Sequence, residues 1–145
     1  MPQIQQILER KGTKIVSIHP QATVLEAAEL MNQQQIGALV VLENDRVVGM
    51  FTERDVLRRI VAERRDAAET AVSQVMTRDV ICCHAHSDVD EARTLLMRQR
   101  IRHLPVLDGD DRLVGLISIG DLNAWQLDGH EIKIQHLEAY IYGRV

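Results

Sequence analysis

The sequence predicts a mixed α/β chain, in the α+β sense, built from two tandem copies of a strand–helix–strand–strand–helix unit. Three observations lead there. Residues 24–42 (VLEAAELMNQQQIGALVVL) overlie residues 89–107 (VDEARTLLMRQRIRHLPVL) at a constant offset of 65, with identity at Val24/Val89, Glu26/Glu91, Ala27/Ala92, Leu30/Leu95, Gln34/Gln99, Ile36/Ile101, Leu39/Leu104, Val41/Val106 and Leu42/Leu107. One inserted residue then shifts the offset to 66, after which RVVGMFTERDV from Arg46 matches RLVGLISIGDL from Arg112. Within each copy the apolar spacing alternates between strand-like and helical periods in the same order. A chain of 145 residues has room for two such halves around a buried core.

The elements follow in turn. Residues 3–11 set Ile4, Ile7 and Leu8 at helical spacing and predict an amphipathic N-terminal helix. A short alternating segment, residues 14–18 or 79–83, has the length of a strand. Next comes an N-cap with Glu three residues on, Thr23 with Glu26 and Asp88 with Glu91, a pairing that satisfies the free N–H groups of a helix start. The helix runs to about residue 35, or residue 100 in the second copy, with Val24, Ala27, Leu30 and Met31 on its apolar face. Two apolar segments flanking a polar turn (Glu43-Asn44-Asp45-Arg46, then Asp108-Gly109-Asp110-Asp111) read as hairpins. A second helix begins past the Thr or Ser that ends each hairpin, over about residues 53–63 and 119–127. The chain thus divides into an N-terminal helix (1–12), a first repeat (13–66), a linker (67–77), a second repeat (78–123) and a C-terminal helical extension (124–145).

Composition excludes several function classes. Seventeen basic against 21 acidic side chains leave a net charge of −4, the reverse of what a phosphate-backbone binder carries, so no nucleic acid partner is expected. Aromatic residues are 3% of the chain, too few for base-stacking platforms or a cage for a methylated cation. The longest apolar run, residues 37–42, is far short of the roughly 20 residues that span a bilayer, and the N-terminus lacks a signal-peptide pattern, so no membrane association and a cytoplasmic location are expected. Cys82 and Cys83 are neighbours, cannot staple a fold, and agree with a reducing compartment.

The chemistry concentrates in one motif present twice: Gly49-Met50-Phe51-Thr52-Glu53-Arg54-Asp55 and Gly115-Leu116-Ile117-Ser118-Ile119-Gly120-Asp121. Each is a strand running into a helix, with a hydroxyl at the N-cap and a carboxylate three residues on. One reading is a capping device worth about 1 kcal/mol. The other uses the same groups for a ligand: a helix N-terminus offers N–H groups to a phosphate, and a carboxylate accepts both hydroxyls of a ribose.

With IRHLPVLD, GLISIGD and GMFTERD at repeat-equivalent positions, residues 13–123 resemble the tandem CBS-domain pair, or Bateman module. The resemblance implies two repeats about a pseudo-two-fold axis with two clefts between them, no catalytic activity, and binding of adenosine nucleotides (AMP, ADP, ATP or NAD(H)) as ligands, with no metal. It places Asp55 and Asp121 on the ribose, with Thr52 and Ser118 near ribose and phosphate. Gly37-Ala38-Leu39 and Arg102-His103-Leu104, with Pro105 following, lie near adenine and phosphates. Lys14, Val16, Asp79 and Ile81 belong to the first strands, which supply backbone contacts to the adenine edge. Arg102 and His103 supply polar groups that Gly37 and Ala38 lack, so the second site is expected to hold phosphate charge more tightly, with Arg54 and Lys14 as the first site's cations. With few aromatics, adenine is expected between Val16, Leu39, Ile81 and Leu104. The resemblance also implies a homodimer through the second helices and an unidentified effector protein that reads occupancy. Trp125, Tyr140 and Tyr142 are expected to be assembly residues, and the tail with Ile132, Ile134, Leu137 and Ile141 is expected to pack on the N-terminal helix or on another subunit.

Other constellations are weaker. Cys82, His84 and His86 alternate as zinc ligands can, but no fourth ligand is evident. No P-loop, GxGxxG, HExxH or Ser-His-Asp arrangement appears. A nucleotide-independent interaction scaffold, in which the motifs are only caps, is the competing reading, ahead of a nucleotide-acting enzyme.

Overall fold

The computed structural model describes residues 2–128. The chain runs α1 (Ile4–Lys11), β1 (Ser17–Ile18), α2 (Val24–Gln34), β2 (Ala38–Glu43), β3 (Arg46–Thr52), α3 (Glu53–Asp55) continued by a π-helical stretch Val56–Val61, α4 (Val72–Val75), β4 (Cys83–His84), α5 (Val89–Gln99), β5 (His103–Leu107), β6 (Leu113–Ser118) and α6 (Ile119–Asp128). Tyr140, Tyr142 and the apolar positions 132–141 lie outside the described residues. No helix among those described is long and apolar enough to cross a membrane.

Each repeat forms a three-stranded sheet, β1-β2-β3 and β4-β5-β6, with the first pair parallel and the second antiparallel. The internal repeat is preserved down to the register. Leu39 faces Phe51 as Leu104 faces Ile117, Val41 faces Gly49 as Val106 faces Gly115, and both ladders carry an irregularity just after that pair. Asn44 and Asp45, both at positive φ, close the first hairpin as a two-residue turn whose twist suits paired strands. In the longer second turn the Asp108 carboxylate accepts from Asp110 N (2.8 Å) and Arg112 N (3.0 Å), which holds its carboxyl below the usual range.

Several expectations are modified. The first strands shrink to two residues each, because only Ser17–Ile18 and Cys83–His84 run alongside their partner strands; residues 14–16 and 79–81 lie outside any ladder. Thr23 and Glu26 form the expected reciprocal box, whereas Asp88 caps Asp90 N at 2.8 Å without a return bond from Glu91. The helix after β3 leaves the α form at Val56: Ala62 N donates to Leu57 O, a five-residue spacing, and the stretch leaves Leu57 and Val61 largely exposed.

Strand alternation sorts the core into layers. Leu39, Val41 and Phe51 face α2 and join Val24, Ala27 and Met31; Leu104, Val106 and Ile117 make the matching core with Val89, Ala92 and Leu96. The opposite parity, Ala38, Val40 and Met50, packs with Ile15, Val80, Leu113 and Leu116, residues from both halves, so the two sheets meet face to face. With both faces covered, β2 reads as an unbroken apolar run.

The flanking segments complete these cores crosswise. Ile4, Ile7 and Leu8 of α1 lie in the second repeat's core, and Val72, Val75 and Met76 around α4 lie in the first's. The attachments match bond for bond. Ile4 N donates to Ser87 O and Val89 N to Pro2 O, as Val72 N donates to Ala22 O and Val24 N to Thr70 O. Gln6 and Gln74 each turn a side chain back to the backbone N–H three residues earlier. Residues 2–8 and 70–76 are therefore a further matched pair, joined to the wrong neighbour in sequence and interlocking the halves.

Candidate functional site

Both motifs fold as hydroxyl–carboxylate caps. At the β3–α3 junction Asp55 Oδ2 accepts from Thr52 N (2.9 Å) and Thr52 Oγ1 (3.3 Å), while Asp55 N donates to Thr52 Oγ1 (3.4 Å). At β6–α6, Asp121 Oδ2 accepts from Ser118 N (2.8 Å) and Asp121 N donates to Ser118 Oγ (3.1 Å). The local cause is the sequence itself: an extended Thr or Ser leaves free N–H groups in the next turn, and the Asp returns the bond.

Each carboxylate has a cation beside it, from a different source in each copy. Arg59 Nε lies 3.6 Å from Asp55 Oδ1, one turn along the same helix, and Arg59 also donates to Val75 O at 3.0 Å. Asp121 instead meets Lys11 of α1 at 2.7 Å. Neither residue is marked by the repeat, since Arg59 stands opposite Trp125 and Lys11 lies in the flanking helix. The sequence reading misses both.

The first residues of the hairpins stand beside these caps. Glu53 N donates to Gly37 O, and Ile119 N to Arg102 O, both at 3.0 Å, tying Gly37 and Arg102 to the helix starts. Ala38 pairs in register with Thr52, and His103 with Ser118. The space over Gly37 is filled by Glu53: a Cβ there would come to 3.0 Å from its carboxylate. Beside the first cap stands the exposed Glu53; beside the second stand exposed Arg102 and half-buried His103. Burial, then the charge of Arg102, lowers the His103 pKa from 6.5, while Asp121 and Glu53 pull it up.

Not every expected residue joins this cluster. Leu39 and Leu104 are fully buried in the repeat cores, and Val16 and Ile81 pack against the same cores, so their side chains do not form an adenine slot between the repeats. The parity is one residue off: Ala38, Val40, Ile15 and Val80 face the opposite sheet, and Pro105, in register with Leu116, shares that parity. Lys14 is exposed and reaches Gln34 Oε1 at 3.4 Å; Arg54 and Asp79 are exposed. Trp125 packs on the second repeat's core beneath Arg10, whose guanidinium lies 5.0 Å from the ring centroid, so it serves packing within the chain.

The Cys-His stretch does not converge. Cys83 is buried in the second core, its thiol pushed up to about 12 chiefly by burial, with the Cys82 charge adding to it; burial and Asp111 likewise raise Cys82. His84 turns to Asp111 at 3.5 Å. Among the described residues no group of three His, Cys, Asp or Glu is placed to hold a metal ion.

Comparison with known proteins bears on this arrangement. A family model described as the CBS domain matches residues 8–62 and again 72–128. The CBS domain-containing protein YhcV of Bacillus subtilis is 36% identical over 115 residues, covering 79% of this chain and 81% of that protein. A CBS-domain containing protein from Agrobacterium tumefaciens superposes with a TM-score of 0.80 at 33% identity, covering 86% of this chain and 99% of the other. A CBS domain protein from Pyrobaculum aerophilum, solved complexed with AMP, superposes with a TM-score of 0.75 at 28% identity, over 83% of this chain and 89% of that one. The duplicated sheets, the paired caps and these matches place the chain in the CBS domain family, with two CBS domains in tandem.

Proposed function

We propose that this CBS pair is a regulatory sensor that binds adenosine nucleotides, among AMP, ADP, ATP and NAD(H), at the mouths between its two repeats. The observation that carries the reading is the duplicated cap: Thr52–Asp55 and Ser118–Asp121 each set a carboxylate and a hydroxyl beside the free N–H groups of a helix start. A diol needs the former and a phosphate the latter. The AMP complex of the related Pyrobaculum protein supports the same ligand class. Asp55 and Asp121 hold the ribose, Arg102 and His103 face the phosphate of the second site, and Lys14, Arg54 and Asp79 stay at the periphery. Adenine contacts come from backbone of residues 14–16 and 79–81 and from the seam-facing side chains. Occupancy is read by an effector protein or by a homodimer, for which exposed Leu57 and Val61 offer an apolar face. A ligand shifts such an equilibrium only by its differential affinity for the two states.

One observation favours the scaffold reading: both carboxylates already satisfy their own caps and face a cation. Thermal unfolding with AMP, ATP, NADH or GTP separates the two. The sensor predicts stabilisation approaching about 2.7 kcal/mol at a hundredfold excess of an adenine nucleotide over Kd. Asp55→Asn and Asp121→Asn keep a cap oxygen and should each lose part of it. No shift with any adenine nucleotide favours the scaffold.

Protonation gives a further expected result. The free protein keeps His103 neutral near pH 7, because burial and Arg102 disfavour its charge. A phosphate beside it raises that pKa, so binding takes up a proton and AMP affinity rises as pH falls through the His103 pKa of the complex. Calorimetry in buffers of different ionisation enthalpy should detect the uptake in wild type and not in His103→Gln; equal uptake in both places the phosphate elsewhere.

A further inference from the structure

The two clefts differ by one turn of helix. Residues 2–8 match 70–76, yet α4 stops at Val75 while α1 continues through Glu9, Arg10 and Lys11. Past α4 the chain closes a two-bond bridge onto β3, with Met50 N donating to Thr77 O at 3.0 Å and Thr77 N to Met50 O at 2.9 Å. The second repeat's counterpart of Met50 is Leu116, and there Lys11 Nζ takes the place of the backbone, donating to Leu116 O at 2.7 Å. The same ammonium lies 2.7 Å from Asp121 Oδ2, which also accepts from Ser118 N. Beside it Arg10 covers the ring of Trp125. Two successive basic residues of α1 thus hold it to α6, one on the acid and one on the indole.

We propose that Lys11 is a built-in competitor at the second cleft: its ammonium occupies the carboxylate that a ribose diol requires, and filling the cleft displaces it and loosens the last turn of α1 from α6. The inference rests on the nucleotide reading above. Oδ2 of Asp121 already accepts two hydrogen bonds, one of them from an ammonium, which leaves it poorly able to take another. The pair is partly exposed, with side chains 34% and 24% accessible, and so is of the kind that exchanges without large cost. Coupling of this sort is reciprocal, and α1 docking therefore weakens the second cleft as much as ligand weakens docking. In the first cleft the cation beside Asp55 belongs to the same helix and touches the flanking segment at Val75 O, so the competing charge there is not itself part of that segment.

The test uses AMP on the full chain. Asp55→Asn leaves the second cleft as the site with its carboxylate, and Lys11→Met added to it keeps the aliphatic stem while removing the charge. Calorimetry should find AMP bound at least threefold more tightly by the double variant. The single tryptophan, Trp125, should change its emission when AMP saturates Asp55→Asn. Equal or weaker binding by the double variant, or an unmoved emission at saturation, overturns the competition while nucleotide binding stands. If wild type binds AMP and Asp55→Asn does not, the second cleft is not a site and the proposal falls. If wild type itself is silent, the nucleotide reading has failed first.

Discussion

Phe51→Ala is expected to lower the unfolding free energy by about 3–5 kcal/mol, measured by urea denaturation. Phe51 is the chain's one phenylalanine, fully buried, paired in register with Leu39 and packed among residues of the first core. Its removal deletes apolar contacts and leaves a cavity that strands held on both faces cannot close. Against a typical total of about 5–15 kcal/mol, that is a large share. Phe51→Ile, which imports the second copy's residue Ile117, fills most of the space and should cost clearly less. A loss under about 1 kcal/mol for the alanine variant would contradict the layered core.

Ile4→Ala should cost about 2–5 kcal/mol, although it lies at the start of the chain, where substitutions are usually mild. Ile4 is fully buried in the second repeat's core, and its backbone N–H bonds to Ser87 O at 2.9 Å. Its neighbour Gln5 is exposed, and Gln5→Ala should stay within about 0.5 kcal/mol. Near-equal effects of the two variants in a urea titration would mean that α1 is not part of the second core.

Much of this was legible before any coordinates. The offset of 65, then 66, carries the hairpin registers directly, because Leu39/Leu104 and Phe51/Ile117 are matched positions and also matched rungs of the two ladders. Capping chemistry located Thr52–Asp55 and Ser118–Asp121 for the same reason: it is local and needs no tertiary partner. The face of each strand was harder to read. Both faces of β2 are buried, so polarity does not distinguish Leu39, which lies in the repeat core, from Ala38, which faces the opposite sheet. The matched pair 2–8 and 70–76 was hidden by its own offset, 68, and by identity at Gln6/Gln74 alone. Its signal is an apolar residue, one position, then Gln with a double apolar step, weak until the cross-packing shows both segments in equivalent places. Lys11 on Asp121 was unreadable, since it depends on α1 packing across the chain.

The central claim is that a ribose rests on the motif carboxylates between the repeats, and a crystal structure with AMP tests it most directly. AMP is expected at the second mouth, its ribose hydroxyls within hydrogen-bond distance of the Asp121 carboxylate, its phosphate toward Arg102 and His103, and Lys11 moved off Asp121. AMP bound away from both motif carboxylates, or absent at saturating concentration with the caps unchanged, would contradict it.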